Sequence, residues 1–177
     1  LRLFAMVSNA GANTATSPDG ITWTARAGGV NGSVGICWSP ERQLFVTVAQ
    51  NGSTSCVMTS PDGITWTTRT AASANNWQDV CWAAEIGLFV AVSQVGVGTR
   101  VMTSPDGITW TTRTSAANND WFGVCWSPER RLLVAVSITG TGNRVMTSPD
   151  GINWTIRTSA SSSAWFSVCW SKERDLF

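Results

Sequence analysis

Four segments of this chain carry small polar residues up to one equivalent position. They are Ala71–Trp77 (AASANNW), Ser115–Trp121 (SAANNDW), Ser159–Trp165 (SASSSAW) and a shortened Gly28–Ser33 (GGVNGS), where Ser33 replaces the tryptophan. An indole face beside side-chain amides suits a sugar, whose C–H face packs on the ring while its hydroxyls bond the amides. The candidate ligand-binding residues are therefore Trp77, Trp121 and Trp165, with Asn75, Asn76, Asn118, Asn119, Asp120 and Asp79. The competing reading is that these indoles seal one repeat against the next, as the other eight tryptophans do.

Catalytic chemistry has little to draw on. The chain contains no His and no Tyr, so the commonest general base is missing. Asp19, Asp62, Asp106 and Asp150 recur in one turn, and Glu41, Glu129 and Glu173 in another, leaving Asp79, Glu85, Asp120 and Asp175 as irregular acids. Asp79 and Asp120 could be cast as the convergent carboxylates a glycosidase needs, but only their place near equivalent strands supports that. The expectation is a protein that is not an enzyme. Cys37, Cys81, Cys125 and Cys169 recur in Val/Ile-Cys-Trp triplets and read as small buried hydrophobes, too far apart between repeats for disulfides, while Cys56 has no counterpart. Dispersed thiols without His indicate no metal site, and no cofactor motif is present.

Charge excludes further classes. A net charge of +1 with 13% charged residues offers no footprint for nucleic acid, and no basic cluster suggests an anionic membrane. Apolar runs such as Leu132–Val136 are too short to cross a bilayer. No signal peptide is visible and the chain opens at Leu1-Arg2-Leu3-Phe4, already inside a repeat, which fits a processed chain or a piece of something longer. The compartment stays undefined. The sequons at Asn31, Asn51 and Asn153 arise readily by chance in an Asn/Ser/Thr-rich chain.

The elements that position the loops follow from repetition. VMTSPDGITWTTRT occurs unchanged at Val57–Thr70 and Val101–Thr114, with variants at Val145–Thr158 and Thr14–Ala27. The Ser-Pro-Asp starts at Ser17, Ser60, Ser104 and Ser148 set a period of 43 or 44 residues. Such a repeat is one supersecondary unit that buries a core only against its neighbours. In one unit, Trp121–Ser127 alternates, with Phe122, Val124 and Trp126 on one face; Leu132–Ser137 is apolar on both faces; Arg144–Ser148 and the Thr-rich Ile152–Thr158 flank a Pro-Asp-Gly hairpin turn. Four antiparallel strands per unit predict an all-β protein, a β-propeller.

The SPDGITW segment resembles the Asp-box, or BNR repeat, whose pattern is Ser-x-Asp-x-Gly-x-Thr-Trp between the third and fourth strands of a blade. It covers Ser17, Asp19, Gly20 and Trp23; Ser60, Asp62, Gly63 and Trp66; Ser104, Asp106, Gly107 and Trp110; and Ser148, Asp150, Gly151 and Trp154, where Asn153 replaces Thr. All four are one residue shorter between Asp and Trp than the family pattern. The resemblance implies a propeller in which the Asp accepts turn N–H groups and the Trp covers the hairpin. It implies little about function, because Asp-boxes recur in sialidases, other glycoside hydrolases, sorting receptors, photosystem assembly factors and lectin-like propellers. A sialidase-like site would need a Tyr nucleophile, which this chain lacks.

Residues 1–177 then read as a single domain with repeats at 33–70, 77–114 and 121–158 and a fourth blade closed by 1–27 plus 165–171. The alternatives are a segment of a larger propeller, or copies that self-associate into a wider ring. Strand direction puts the Asp-box turns on one face of the ring and the variable loops on the other, where recognition is usual. The leading expectation is a multivalent, lectin-like binding module for a glycan. The alternative is a structural or protein-interaction scaffold. The outer Arg26, Arg69, Arg113 and Arg157 read as a solvated face or ion-pair partners.

Overall fold

A computed structural model describes residues 3–177; Leu1 and Arg2, part of the expected 1–27 segment, lie outside the described residues. The chain is a β-propeller. Three antiparallel sheets of four strands follow one of three. The first sheet holds β1 (Phe4–Val7), β2 (Asn13–Ser17) and β3 (Thr24–Ala27), and the second β4 (Ser33–Ser39), β5 (Leu44–Ala49), β6 (Val57–Ser60) and β7 (Thr67–Arg69). The third holds β8 (Trp77–Ala83), β9 (Leu88–Ser93), β10 (Val101–Ser104) and β11 (Thr111–Arg113), and the fourth β12 (Trp121–Ser127), β13 (Leu132–Ser137), β14 (Val145–Ser148) and β15 (Thr155–Arg157). Each sheet is a meander in sequence order, with β4, β8 and β12 innermost and packed side by side.

The fourth strands start later than Ile152–Thr158 implies, because the turn takes the residues after Pro-Asp-Gly. In the second sheet, Asp62 Oδ1 accepts the N–H groups of Ile64 and Thr65 at 2.8 and 2.7 Å, and Ser60 Oγ accepts that of Gly63 at 2.8 Å. Gly63 sits at φ +72°, a conformation that costs a side-chain-bearing residue energy. The Trp66 indole N–H then donates to the Gly63 carbonyl at 3.2 Å. The same bonds recur around Asp19, Asp106 and Asp150. The N–H groups of Thr65 and Ile64 hold Asp62 down at about 2, and those of Thr22 and Ile21 do the same for Asp19.

The cores lie between sheets. One joins Val46 and Val57 of the second sheet to Trp77, Phe89 and Met102 of the third. The next joins Val90, Val92 and Val101 to Trp121, Leu133 and Met146. A polar latch repeats at each step after the second sheet: the indole N–H of Trp82 donates to Glu41 at 2.6 Å, Trp126 donates to Glu85, and Trp170 donates to Glu129 at 2.7 Å. Glu85, an irregular acid in the sequence, thus holds the same place as the Pro-Glu-Arg glutamates; a 3-10 turn, Ala84–Ile86, delivers it. Arg42 and Arg130 lie over the rings of Trp82 and Trp170. The Arg column binds hydroxyls instead of carboxylates: Arg69 Nε donates to Thr59 Oγ1 at 2.9 Å, and Arg26, Arg113 and Arg157 repeat the bond.

The shared terminal blade does not form within the described chain. Among the described residues β1 pairs with β2 alone, and segment 165–171 makes the bridge between Ser171 and Leu176 and a bond from the Trp165 N–H to the Ser137 carbonyl at 3.2 Å. This segment instead stacks beside β12 as the next innermost position, with Phe166 edge-on to Phe122 at 5.0 Å between centroids. Close packing fixes that placement. A Cβ on Gly123 would lie 2.9 Å from the Phe166 carbonyl oxygen, and one on Gly35 would lie 2.7 Å from Asp79 Cα. Gly35→Ala therefore sets backbone against backbone, and a loss of about 1–3 kcal/mol is expected in urea unfolding; a neutral result would mean that β4 and β8 are not in contact.

Candidate axial funnel

The loop face opens into a cavity of about 420 Å³ on the axis, within the range of small-ligand sites. The walls come from successive units: Asn9 after β1, Val34 of β4, Gln50 after β5, Gln78 and Asp79 of β8, Phe122 of β12, then Phe166 and Ser167. A β-bulge builds it. Trp77 pairs with Ser93 and Asp79 with Val92, so two residues of β8 span one step of β9, and β4 and β12 shift alike. The extra residue breaks strict alternation and re-aims the side chains at the strand's mouth. Trp77 and Trp121 swing into the interblade cores, while Gln78, Asp79 and Phe122 line the axis.

That geometry corrects the reading of the loop tryptophans as ligand platforms. Trp77 and Trp121 are 0% exposed, and their indole N–H groups are satisfied by the carbonyls of Ser73 and Ala117 at 3.2 and 3.1 Å. Trp165 alone is exposed, at 37%. Most of the polar candidates brace loops. Asn75 Nδ2 donates to the Thr99 carbonyl at 2.9 Å, Asn119 Nδ2 to that of Asn143 at 2.8 Å, and Asn118 Oδ1 accepts the Gly98 N–H at 2.7 Å. The Asn76 carbonyl accepts from Gln94, and Asp120 forms an ion pair with Arg100 at 2.7 Å. Asp79 is the single sequence candidate that lines the funnel, and Asp120 does not meet it there.

The remaining funnel residues form two contrasting walls. On one, side-chain amides link three units: Gln78 Nε2 donates to Gln50 Oε1 at 3.1 Å, and Gln50 Nε2 donates to Asn9 Oδ1 at 3.0 Å. On the other stand the rings of Phe122 and Phe166. Between them Asp79 accepts the N–H of Val80 at 2.9 Å and, across the blade gap, that of Val124 at 3.0 Å. Desolvation pushes Asp79 up to about 6, against the lowering effect of those two N–H groups. Sequence reasoning missed Asn9, Gln50, Gln78, Phe122 and Phe166. The signal was present, since the position after the loop tryptophan reads Val34, Gln78, Phe122 and Phe166 and the next reads Gly35, Asp79, Gly123 and Ser167, the two least uniform sites of the innermost strand.

Other chemistry near the axis is quiet. All five cysteines are free. Burial pushes the Cys81 thiol well up, with Cys37, Asp79 and Cys125 adding to the effect, so it stays protonated and weakly nucleophilic at neutral pH. Among the described residues no group of His, Cys, Asp or Glu could hold a metal ion, and no helix is long and apolar enough to cross a membrane.

Comparison with known proteins bears on the fold. No protein-family model matches the chain, and no curated protein matches it in sequence. Solved structures do. A GH74 enzyme of Niastella koreensis superimposes with a TM-score of 0.70 at 18% identity, over 90% of this chain and 28% of that one. A chain of a nidogen/laminin complex superimposes with a TM-score of 0.69 at 12% identity, over 95% of this chain and 64% of that one. The chain thus spans less than two thirds of either protein's length.

Two outcomes follow. Trp77→Ala and Trp121→Ala are core truncations, each expected to lower unfolding free energy by about 3–5 kcal/mol; wild-type stability in either variant would return the indoles to the surface. Asp79 carries the second. Its folded value lies above the ordinary carboxylate value of 3.8, so its contribution is fully present below pH 3.8 and is lost as pH rises through about 6. Asp19 and Asp62 act oppositely, below that window. Melting temperatures from pH 4 to 7 should show wild type losing ground to Asp79→Asn as pH rises, with the gap closing toward pH 4; parallel curves would contradict the burial of Asp79.

Proposed function

We propose that this chain is a non-catalytic binding module whose axial funnel takes a carbohydrate. The observation that supports it most is the pairing of walls in one cavity: linked amides from three units face two phenylalanine rings. Hydroxyls of a sugar match the first wall, and its C–H face matches the second. Burial of Trp77 and Trp121 removes the basis for equal sites repeated around the ring, so the multivalent form gives way to one axial site. The Ser-Pro-Asp-Gly turns fit the same reading as Asp-boxes, fold elements that brace the face opposite the funnel. It calls on no nucleic acid, membrane insertion or cofactor.

An interaction scaffold is the second reading, and exposed apolar side chains favour it. Phe4 and Met6 of β1 are 56% and 46% exposed, and Trp165 and Phe166 are 37% and 59% exposed. A protein surface or a second copy of this chain would cover them.

Glycan-array screening followed by calorimetry with Phe122→Ala and Gln78→Ala separates the two. The carbohydrate reading expects each variant to weaken binding by about tenfold or more with its cooperative melt retained. A chain that captures no glycan, or one whose binding survives both substitutions, would favour the scaffold.

A further inference from the structure

The funnel's charge and hydrogen-bond polarity narrow the ligand. Resting on the carbohydrate reading above, we infer that the site is built for an amino sugar with a free primary amine, bound as the ammonium at Asp79 and Gln78.

Direction along the amide wall is the first ground. Each amide donates toward Asn9, from Gln78 to Gln50 and from Gln50 to Asn9. The Gln78 end therefore finishes on an oxygen, and Gln78 Oε1 receives no donor among the described residues, although the side chain is otherwise buried at 4% exposure. Asp79 lies next to it. Each carboxylate oxygen takes one backbone N–H, from Val80 on one side and Val124 on the other, which leaves lone pairs on both. This end of the funnel offers acceptors only.

Charge is the second ground. Among the described residues Asp79 is the one ionisable side chain lining the cavity, and no Arg or Lys lines it. The nearby Cys37, Cys81 and Cys125 supply no cation, and Arg100 is engaged with Asp120. An ammonium has three donors and no acceptor, so it satisfies Gln78 Oε1 and Asp79 together. Phe122 and Phe166 line the same cavity, and aromatic rings there also favour a cation. A carboxylated sugar would meet Asp79 with like charge. An N-acetylated amine would bring one donor in place of three and no charge.

Calorimetry on the full chain at neutral pH tests this with three probes: a glucosamine oligosaccharide, the same oligosaccharide fully N-acetylated, and the simple diamine putrescine. The free-amine saccharide should bind about tenfold or more tighter than its acetylated form. Asp79→Asn should erase that preference, whereas Phe122→Ala should weaken both saccharides while preserving it. Preference for the free amine should also shrink with added salt in wild type, a readout independent of any variant. Equal affinity for the two saccharides would overturn the ammonium inference and leave the carbohydrate reading standing. Binding of putrescine without either saccharide would support the ammonium site and overturn the carbohydrate. Silence from all three probes would overturn both.

Discussion

A β-sheet buries a core only when something covers its face, and here each sheet is covered by the next. Val46 meets Phe89, and Val90 meets Leu133, across the gaps between blades. Everything else follows that constraint. The Glu–Trp latches tie the second sheet to the third, the third to the fourth and the fourth to segment 165–171, the Ser-Pro-Asp-Gly turns fasten the hairpins, and the glycines of the innermost strands let backbones approach without side chains between them. The latch joins an exposed glutamate to an indole at the edge of an apolar core.

Much of the fold was legible because repetition multiplies a weak signal. One Ser-Pro-Asp-Gly is a turn; four at a spacing of 43 or 44 residues, each preceded by Thr and followed by Trp, define a blade. Strand order and the Thr-rich outer strand followed from the same strings. Among the described residues no strand pairing joins 1–27 to 165–171, because pairing logic says which strands match and nothing about the turn per blade. That angle is set by contacts such as Gly35 against Asp79 and Gly123 against Phe166, which are long-range.

The setting of the candidate site was more legible than its membership. The proposed funnel opens on the face that carries the variable loops. The residues chosen there were the indoles and their polar neighbours, for their match to a sugar, while the innermost strand was read as strictly alternating. A bulge at the strand's mouth breaks that alternation, so Trp77 and Trp121 turn inward while Gln78, Asp79 and Phe122 turn to the axis. Bulges leave little trace in a single sequence. The amide wall is harder still to foresee, since Asn9, Gln50 and Gln78 sit in three different units and meet only when the blades stack.

The central claim is that tryptophans serve as interblade core while recognition falls to the axial funnel. The most direct test is a ¹H–¹⁵N spectrum recorded during titration with a saccharide that the chain binds, following side-chain signals. The account predicts that the amide groups of Asn9, Gln50 and Gln78 shift, while the indole N–H signals of Trp77 and Trp121 stay fixed and exchange slowly with solvent. Shifts of those two indoles with silent amides would contradict it, and would place the ligand on the loops after all.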